Sequence, residues 1–212
     1  MTHAYDEGTV EYAMDNLGAA LDYSVHLLKL DGQEFLNLFV ISEIANELAN
    51  GNPKYTTGMS GRDLADEVYA KCGRQIAITE KEVNGDYSPE YWCGWILAYY
   101  QWETGISFKK ILSVLTFDML MRSYGVLHEA DVSKFEDIAD ARMRERFPET
   151  NLKRIRTVYG CSQAELARKS GVSLRSIQMY EQRNKDINKA SADTLYRIAK
   201  VLGCTMEALL ER

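Results

Sequence analysis

The sequence predicts an all-α fold in two parts: an acidic N-terminal helical bundle, then a small basic C-terminal domain of five short helices. Three observations carry that expectation. Apolar residues recur at three- and four-residue steps along most of the chain rather than alternating. Ser, Thr or Asp stand just ahead of the apolar runs, where a side-chain oxygen can accept an otherwise unpaired backbone N–H. The charge is also divided unevenly. Residues 1–150 carry 13 Lys+Arg against 25 Asp+Glu, a net of −12, whereas residues 151–212 carry 12 against 6, a net of +6. Together they give the −6 of the 212-residue chain, whose 46% hydrophobic content and three prolines suit packed helices.

Met14, Leu17, Leu21, Val25 and Leu28 place one apolar stripe on a first helix. Asp31 with Glu34 reads as the cap of a second, with Phe35, Phe39, Ile41, Ile44 and Leu48 as its core face. That helix ends in the loop NGNPKYTTGMSG at 50–61, and Ser60 caps a short helix carrying Leu64 and Val68. Beyond Cys72-Gly73 the chain turns irregular, with QIAI at 75–78 a candidate short strand. Ser88-Pro89 starts the helix PEYWCGWILAYYQWETG. Residues 92, 95, 99 and 102 share a face of it and read as core, while Tyr91 and Tyr100 fall off that stripe and are expected nearer the surface. Ser107 opens two further short helices. Ser133 and Glu136 have capping-box spacing before Phe135, Ile138, Ala139 and Met143, and Pro148 stops that helix. The boundary is expected near 147–151, dividing an acidic partner-binding or oligomerisation domain, 1–147, from a basic domain, 151–212.

Several function classes drop out. No run approaches the roughly 18 apolar residues of a membrane span, and the N-terminal MTHAYDEGTVEY is too polar and acidic for a signal peptide. A cytoplasmic protein without a membrane partner is expected. Cys72, Cys93, Cys161 and Cys204 are scattered without zinc-ligand spacing and read as free thiols. HEAD at 128–131 points adjacent side chains in different directions, so no metal site is read there. The glycines at 50–61 lack the G-K-[ST] of a phosphate loop. With no activated nucleophile and no paired catalytic carboxylates, neither enzyme chemistry nor a cofactor is expected.

The basic part breaks into five short helices. The first, from Asn151 to Tyr159, is closed by Gly160, and the second runs from Gln163 behind a box of Ser162 and Glu165. The third covers 174–182 behind Ser173, the fourth ends at Gly203, and the fifth follows Thr205. Within SQAELARKSGVSLRSIQMYEQ, 162–182, Ala167 is small enough for two helices to cross closely, and Gly171 accepts the positive φ of the turn. Leu166, Val172, Ile177 and Tyr180 face a shared core. Leu174, Arg175, Gln178 and Met179 are left on the outer face and first turn of the third helix, free to reach base edges in the major groove of double-stranded DNA.

With LKRIRTVYG before it and LYRIAKVLG after it, this stretch resembles the phage-repressor (Xre/Cro) helix-turn-helix family over 151–212. The resemblance implies an internal ion pair between Arg156 and Glu181. It implies phosphate contacts at the helix start carrying Ser162 and Gln163, from Ser173, and from Arg183, Asn184, Lys185 and Lys189 in the loop RNKDINK. It also implies base reading by Leu174, Arg175 and Met179. A transcriptional regulator follows, in all expectation a repressor of its own promoter, acting as a homodimer. Dimerisation would come from the fourth and fifth helices, the N-terminal domain, or both. The acidic domain then has a sensing or holding role, with a small effector or a protein partner. An antitoxin is the alternative, its N-terminal domain neutralising a toxin while the helix-turn-helix represses the operon.

Overall fold

In the computed structural model, which describes residues 3–74 and 88–211, the described residues form helices and no strands. The candidate strand at 75–78 lies outside the described residues. In chain order the helices are α1 (Val10–His26), α2 (Gly32–Ile41), α3 (Ile44–Ala49), α4 (Pro53–Thr56), α5 (Gly61–Lys71) and α6 (Pro89–Thr104). Then come α7 (Phe108–Leu112), α8 (Phe117–Leu127), α9 (Val132–Arg146), α10 (Asn151–Tyr159), α11 (Gln163–Ser170), α12 (Leu174–Glu181) and α13 (Ala192–Leu202). The chain divides into two compact units, Met1–Met143 and Arg144–Arg212.

Local chemistry starts most of these helices. Asp31 accepts from the Glu34 N–H at 3.0 Å, and Ser60 forms a reciprocal box with Asp63. Ser88 accepts from the Tyr91 N–H at 3.0 Å, with Pro89 in the first turn. Each cap pairs a backbone donor that the helix itself cannot satisfy.

The first unit is organised around α1 and α6, the most extensively packed helix pair. Glycines set their separation. A Cβ on Gly18 would stand 2.9 Å from the Tyr91 carbonyl oxygen, and one on Gly94 would overlap that of Leu17. Only residues without a side chain let the two backbones come this close. Met14, Leu17 and Leu21 of α1 are buried beside Trp92, Ile96 and Leu97 of α6, and α5 also packs on α1.

Three expectations are corrected. The single helix expected from Gly32 to Leu48 is broken at Ser42 and Glu43, where Glu43 takes a left-handed φ of +64°. The break redirects the chain, so Ile44 and Leu48 reach the core, whereas Ile41, two residues past Phe39 and so on the far side of α2, is left 69% exposed. Tyr100 is fully buried rather than near the surface, donating its hydroxyl to Asp140 Oδ1 at 2.8 Å. Trp95 and Tyr99 of the expected stripe are only half-buried. Helix α6 contacts α1, α3, α7 and α8, so its buried surface is wider than one stripe. Finally, α9 begins one residue before Ser133, and Asp131 Oδ1 accepts the Ser133 N–H at 2.9 Å. Glu136 instead accepts from the Tyr99 hydroxyl at 2.7 Å.

In the second unit Leu152, Leu166, Ile177, Tyr180, Leu195, Ile198, Leu202 and Leu209 form one core. The fifth expected helix is a single 3-10 turn, Glu207–Leu209, and a second such turn, Ile187–Lys189, lies in the RNKDINK loop.

The glycine contact makes a direct test. Gly94→Ala should destabilise the first unit by about 1–3 kcal/mol through overpacking, read as a lower urea midpoint by circular dichroism. An unchanged midpoint would mean that the helices can separate freely.

Candidate nucleic-acid interface

The turn between α11 and α12 has a built-in start and stop. The Ser162 hydroxyl accepts the Glu165 N–H at 3.2 Å while Glu165 Oε2 accepts the Ser162 N–H at 2.8 Å. The Ser162 N–H, helped by the Ser162 hydroxyl, holds the exposed Glu165 carboxyl below the usual carboxylate range. Gly171 closes α11 at φ +69°. The nearest atom to a Cβ placed there is 3.7 Å away, so glycine is called for by conformation rather than by crowding. Ser173 then opens α12, accepting from the Ser176 N–H at 3.1 Å.

One carboxylate ties the three helices of this motif together. Glu181, at the end of α12, accepts from Arg156 Nε at 2.6 Å and from Arg156 Nη2 at 2.8 Å. It also accepts from Gln163 Nε2 at 2.8 Å. The Arg156 and Glu181 side chains are 12% and 3% exposed. Arg156 Nη1 further donates to the Cys161 carbonyl at 2.7 Å. The hydrogen bond to Glu181 raises the Arg156 pKa further above neutral. This bidentate pairing fixes the angle of α12 against α10 and α11.

The residues expected to read bases divide in two. Leu174 and Arg175, in the first turn of α12, are exposed, whereas Gln178 and Met179 are half-buried. Arg175 forms no ion pair among the described residues. The phosphate set divides as well. Ser162 and Ser173 lie exposed at the two helix starts, and Asn184, Lys185 and Lys189 are exposed in the loop. Lys185 Nζ sits over the Tyr180 ring, 5.2 Å from its centroid, and Lys189 Nζ is 3.9 Å from Asp186. Gln163 and Arg183 are engaged inside the domain. The Gln163 amide is held by Glu181, which leaves the backbone N–H groups of Gln163 and Ala164 at the start of α11 without intrahelical acceptors. Arg183, at φ +57°, donates to the carbonyls of Pro148 at 3.1 Å and Phe147 at 2.8 Å.

The conformation of this unit is that of a helix-turn-helix, and comparison with known families agrees. Residues 152–209 match the family model described as Helix-turn-helix. These residues are a helix-turn-helix domain of the phage-repressor type, which supports a DNA-binding regulator. No curated protein and no solved structure matches the chain. No helix among the described residues is long and apolar enough to cross a membrane.

Other features of both units escaped sequence reasoning. The ends of the second unit are stitched together by Glu211 and Asn188. Asn151 N–H donates to Glu211 Oε1 at 2.6 Å, and the Glu211 N–H donates to Asn188 Oδ1 at 2.9 Å. Pairs 60 and 23 residues apart leave no local signal. In the first unit, Asp22, His26 and Glu90 bring one ligand atom each within 4.8 Å of one another. The i, i+4 spacing of Asp22 and His26 was visible in the sequence, but the partner on α6 was not. The same unit holds a cleft of about 320 Å³ bordered by Asp15, Trp92, Trp95, Tyr124 and His128, within the range of small-ligand sites.

The Glu181 junction should be costly to break. Glu181→Ala leaves the Arg156 guanidinium without its carboxylate, and a loss of about 3–5 kcal/mol is expected for an uncompensated charge of this kind. Urea unfolding of the full chain checks this. A change below about 1 kcal/mol would mean that the pair behaves like a surface salt bridge.

Proposed function

We propose that the protein is a sequence-specific, double-stranded DNA-binding repressor that acts on its own promoter. The observation that carries this reading is the exposed first turn of α12, with Leu174 and Arg175 outermost, on a braced helix-turn-helix of the phage-repressor type. In this reading α12 lies in the major groove. Arg175 donates two hydrogen bonds to a guanine edge, and Leu174 meets a thymine methyl group. Gln178 and Met179, half-buried on the same helix, contribute at the edge of the contact. The N–H groups at the starts of α11 and α12, with the Ser162 and Ser173 hydroxyls, take phosphate oxygens. Asn184, Lys185 and Lys189 follow the backbone from the loop. Gln163 and Arg183 hold the domain in shape instead of touching phosphate with their side chains.

A homodimer completes the reading, because one such module spans only a half-site and two half-sites lie about 34 Å apart. Val158, 83% exposed on α10, and the exposed Tyr159 and Tyr196 offer apolar surface for it. The cleft beside Trp92 and Trp95 is the place in the first unit suited to a small effector.

Arg175→Ala should reduce discrimination against a mismatched operator by about 1–3 kcal/mol. Lys185→Ala should weaken all duplexes alike and lower the salt dependence by about one ion. Titrations of the promoter duplex at several salt concentrations, with light scattering of the complex, read all of this. Equal weakening of every duplex by both changes, or a monomer on a two-half-site duplex, would overturn the reading.

The net −12 of residues 1–150 favours a second reading, an antitoxin whose acidic part holds a basic toxin while the basic domain represses the operon. Co-purification from the native cell separates the two. A stoichiometric basic protein supports the antitoxin, and its absence supports the plain repressor.

A further inference from the structure

We propose that Asp22, His26 and Glu90 form a binding site for a divalent transition-metal ion of the zinc type. The site is separate from the DNA-binding domain and independent of the function proposed for it. Asp22 and His26 stand one turn apart on α1, and Glu90 lies in the first turn of α6. These are the two helices locked together at Gly18 and Gly94, so the three donors are held on a rigid pair of elements. His26 Nε2 lies 3.0 Å from Glu90 Oε2 and 3.7 Å from Asp22 Oδ1. A tetrahedral ion with ligands at about 2.0–2.1 Å places neighbouring donor atoms about 3.3 Å apart, and the two separations bracket that value. The Asp22 and Glu90 donor atoms lie within 4.8 Å of one another, and an ion between them would draw the two carboxylates together.

The charge of the cluster points the same way. The Asp22 and Glu90 side chains are 9% and 13% exposed, and no Lys or Arg pairs with either among the described residues. A single imidazole faces both carboxylates. Protonated, it balances one of them, whereas a dication balances both and gains a neutral nitrogen ligand. The Ser88 hydroxyl donates to Asp22 Oδ1, the oxygen that also faces His26, and so fixes the orientation of that carboxylate. Ser88 is itself fixed as the N-cap of α6. His26, 47% exposed, leaves an open side for water as the fourth ligand. One imidazole with two carboxylates suits zinc or cobalt better than calcium, which takes six to eight oxygens.

The full-length protein, stripped with a chelator, is titrated with Co2+ and then with Zn2+. The expected result is visible d–d absorption of a tetrahedral nitrogen and oxygen site, saturating at micromolar Co2+ and bleached by Zn2+. It should lack the near-ultraviolet band that a cysteine thiolate would add. His26→Ala and Glu90→Gln should each weaken binding by more than the roughly 10–100-fold that losing an outer-shell partner costs, whereas His128→Ala should leave it unchanged. Zn2+ should also raise the melting temperature of the starting protein, but not that of His26→Ala. Both variants change partly exposed side chains, and circular dichroism confirms that they fold. No absorption at micromolar Co2+, a thiolate band, or binding that survives His26→Ala would each overturn the proposal.

Discussion

The helix-turn-helix depends on one buried carboxylate. Glu181 ends α12 and accepts from Arg156 on α10 and Gln163 on α11, so one side chain sets the position of α12 against its two neighbours. Such a group is held by geometry as much as by charge, because the guanidinium fork accepts a carboxylate in one plane only. The turn at Gly171 sets the path of the chain and the core around Ile177 and Tyr180 supplies the adhesion, but neither sets a rotation as narrowly. The surface that results is two-sided. Glu181 faces inward at the end of α12, and Leu174 and Arg175 face outward at its start.

The first unit rests on a different constraint, steric rather than ionic. Gly18 and Gly94 let α1 and α6 approach until backbone meets backbone. With the helices that close, side chains beside the crossing meet at short range. The Tyr91 hydroxyl reaches Asp15 at 2.7 Å, and Glu90 reaches His26 at 3.0 Å. A wider crossing would separate these pairs, so the polar arrangement along the seam is a consequence of two missing side chains.

What could be read in advance was local. The caps at Asp31, Ser60, Ser88 and Ser162 act over two or three residues, and their signatures sit in the sequence as short spacings. Errors arose where a local pattern competed with a distant partner. Ser133 and Glu136 have the spacing of a box, yet Tyr99 holds Glu136 and Asp131 starts the helix. Ile41 shares an apolar run with Phe35 and Phe39, but it follows Phe39 by two residues and faces the other side of α2, and the left-handed Glu43 then breaks the run before Ile44. Gln163 and Arg183 carry no local sign of a partner in the sequence, and both donate to acceptors far along the chain.

Local residue patterns were enough to specify the helical class, most helix starts, the separation of charge between the two parts and the helix-turn-helix pattern. All of these depend on neighbours within a turn or two, or on sums over a segment. Tertiary structure alone decided how wide the buried surface of α6 is and which polar groups are satisfied internally. It also decided which carboxylates share an imidazole. These outcomes depend on distances of a few ångströms between residues tens of positions apart, and chain spacing does not encode them until the helices have packed.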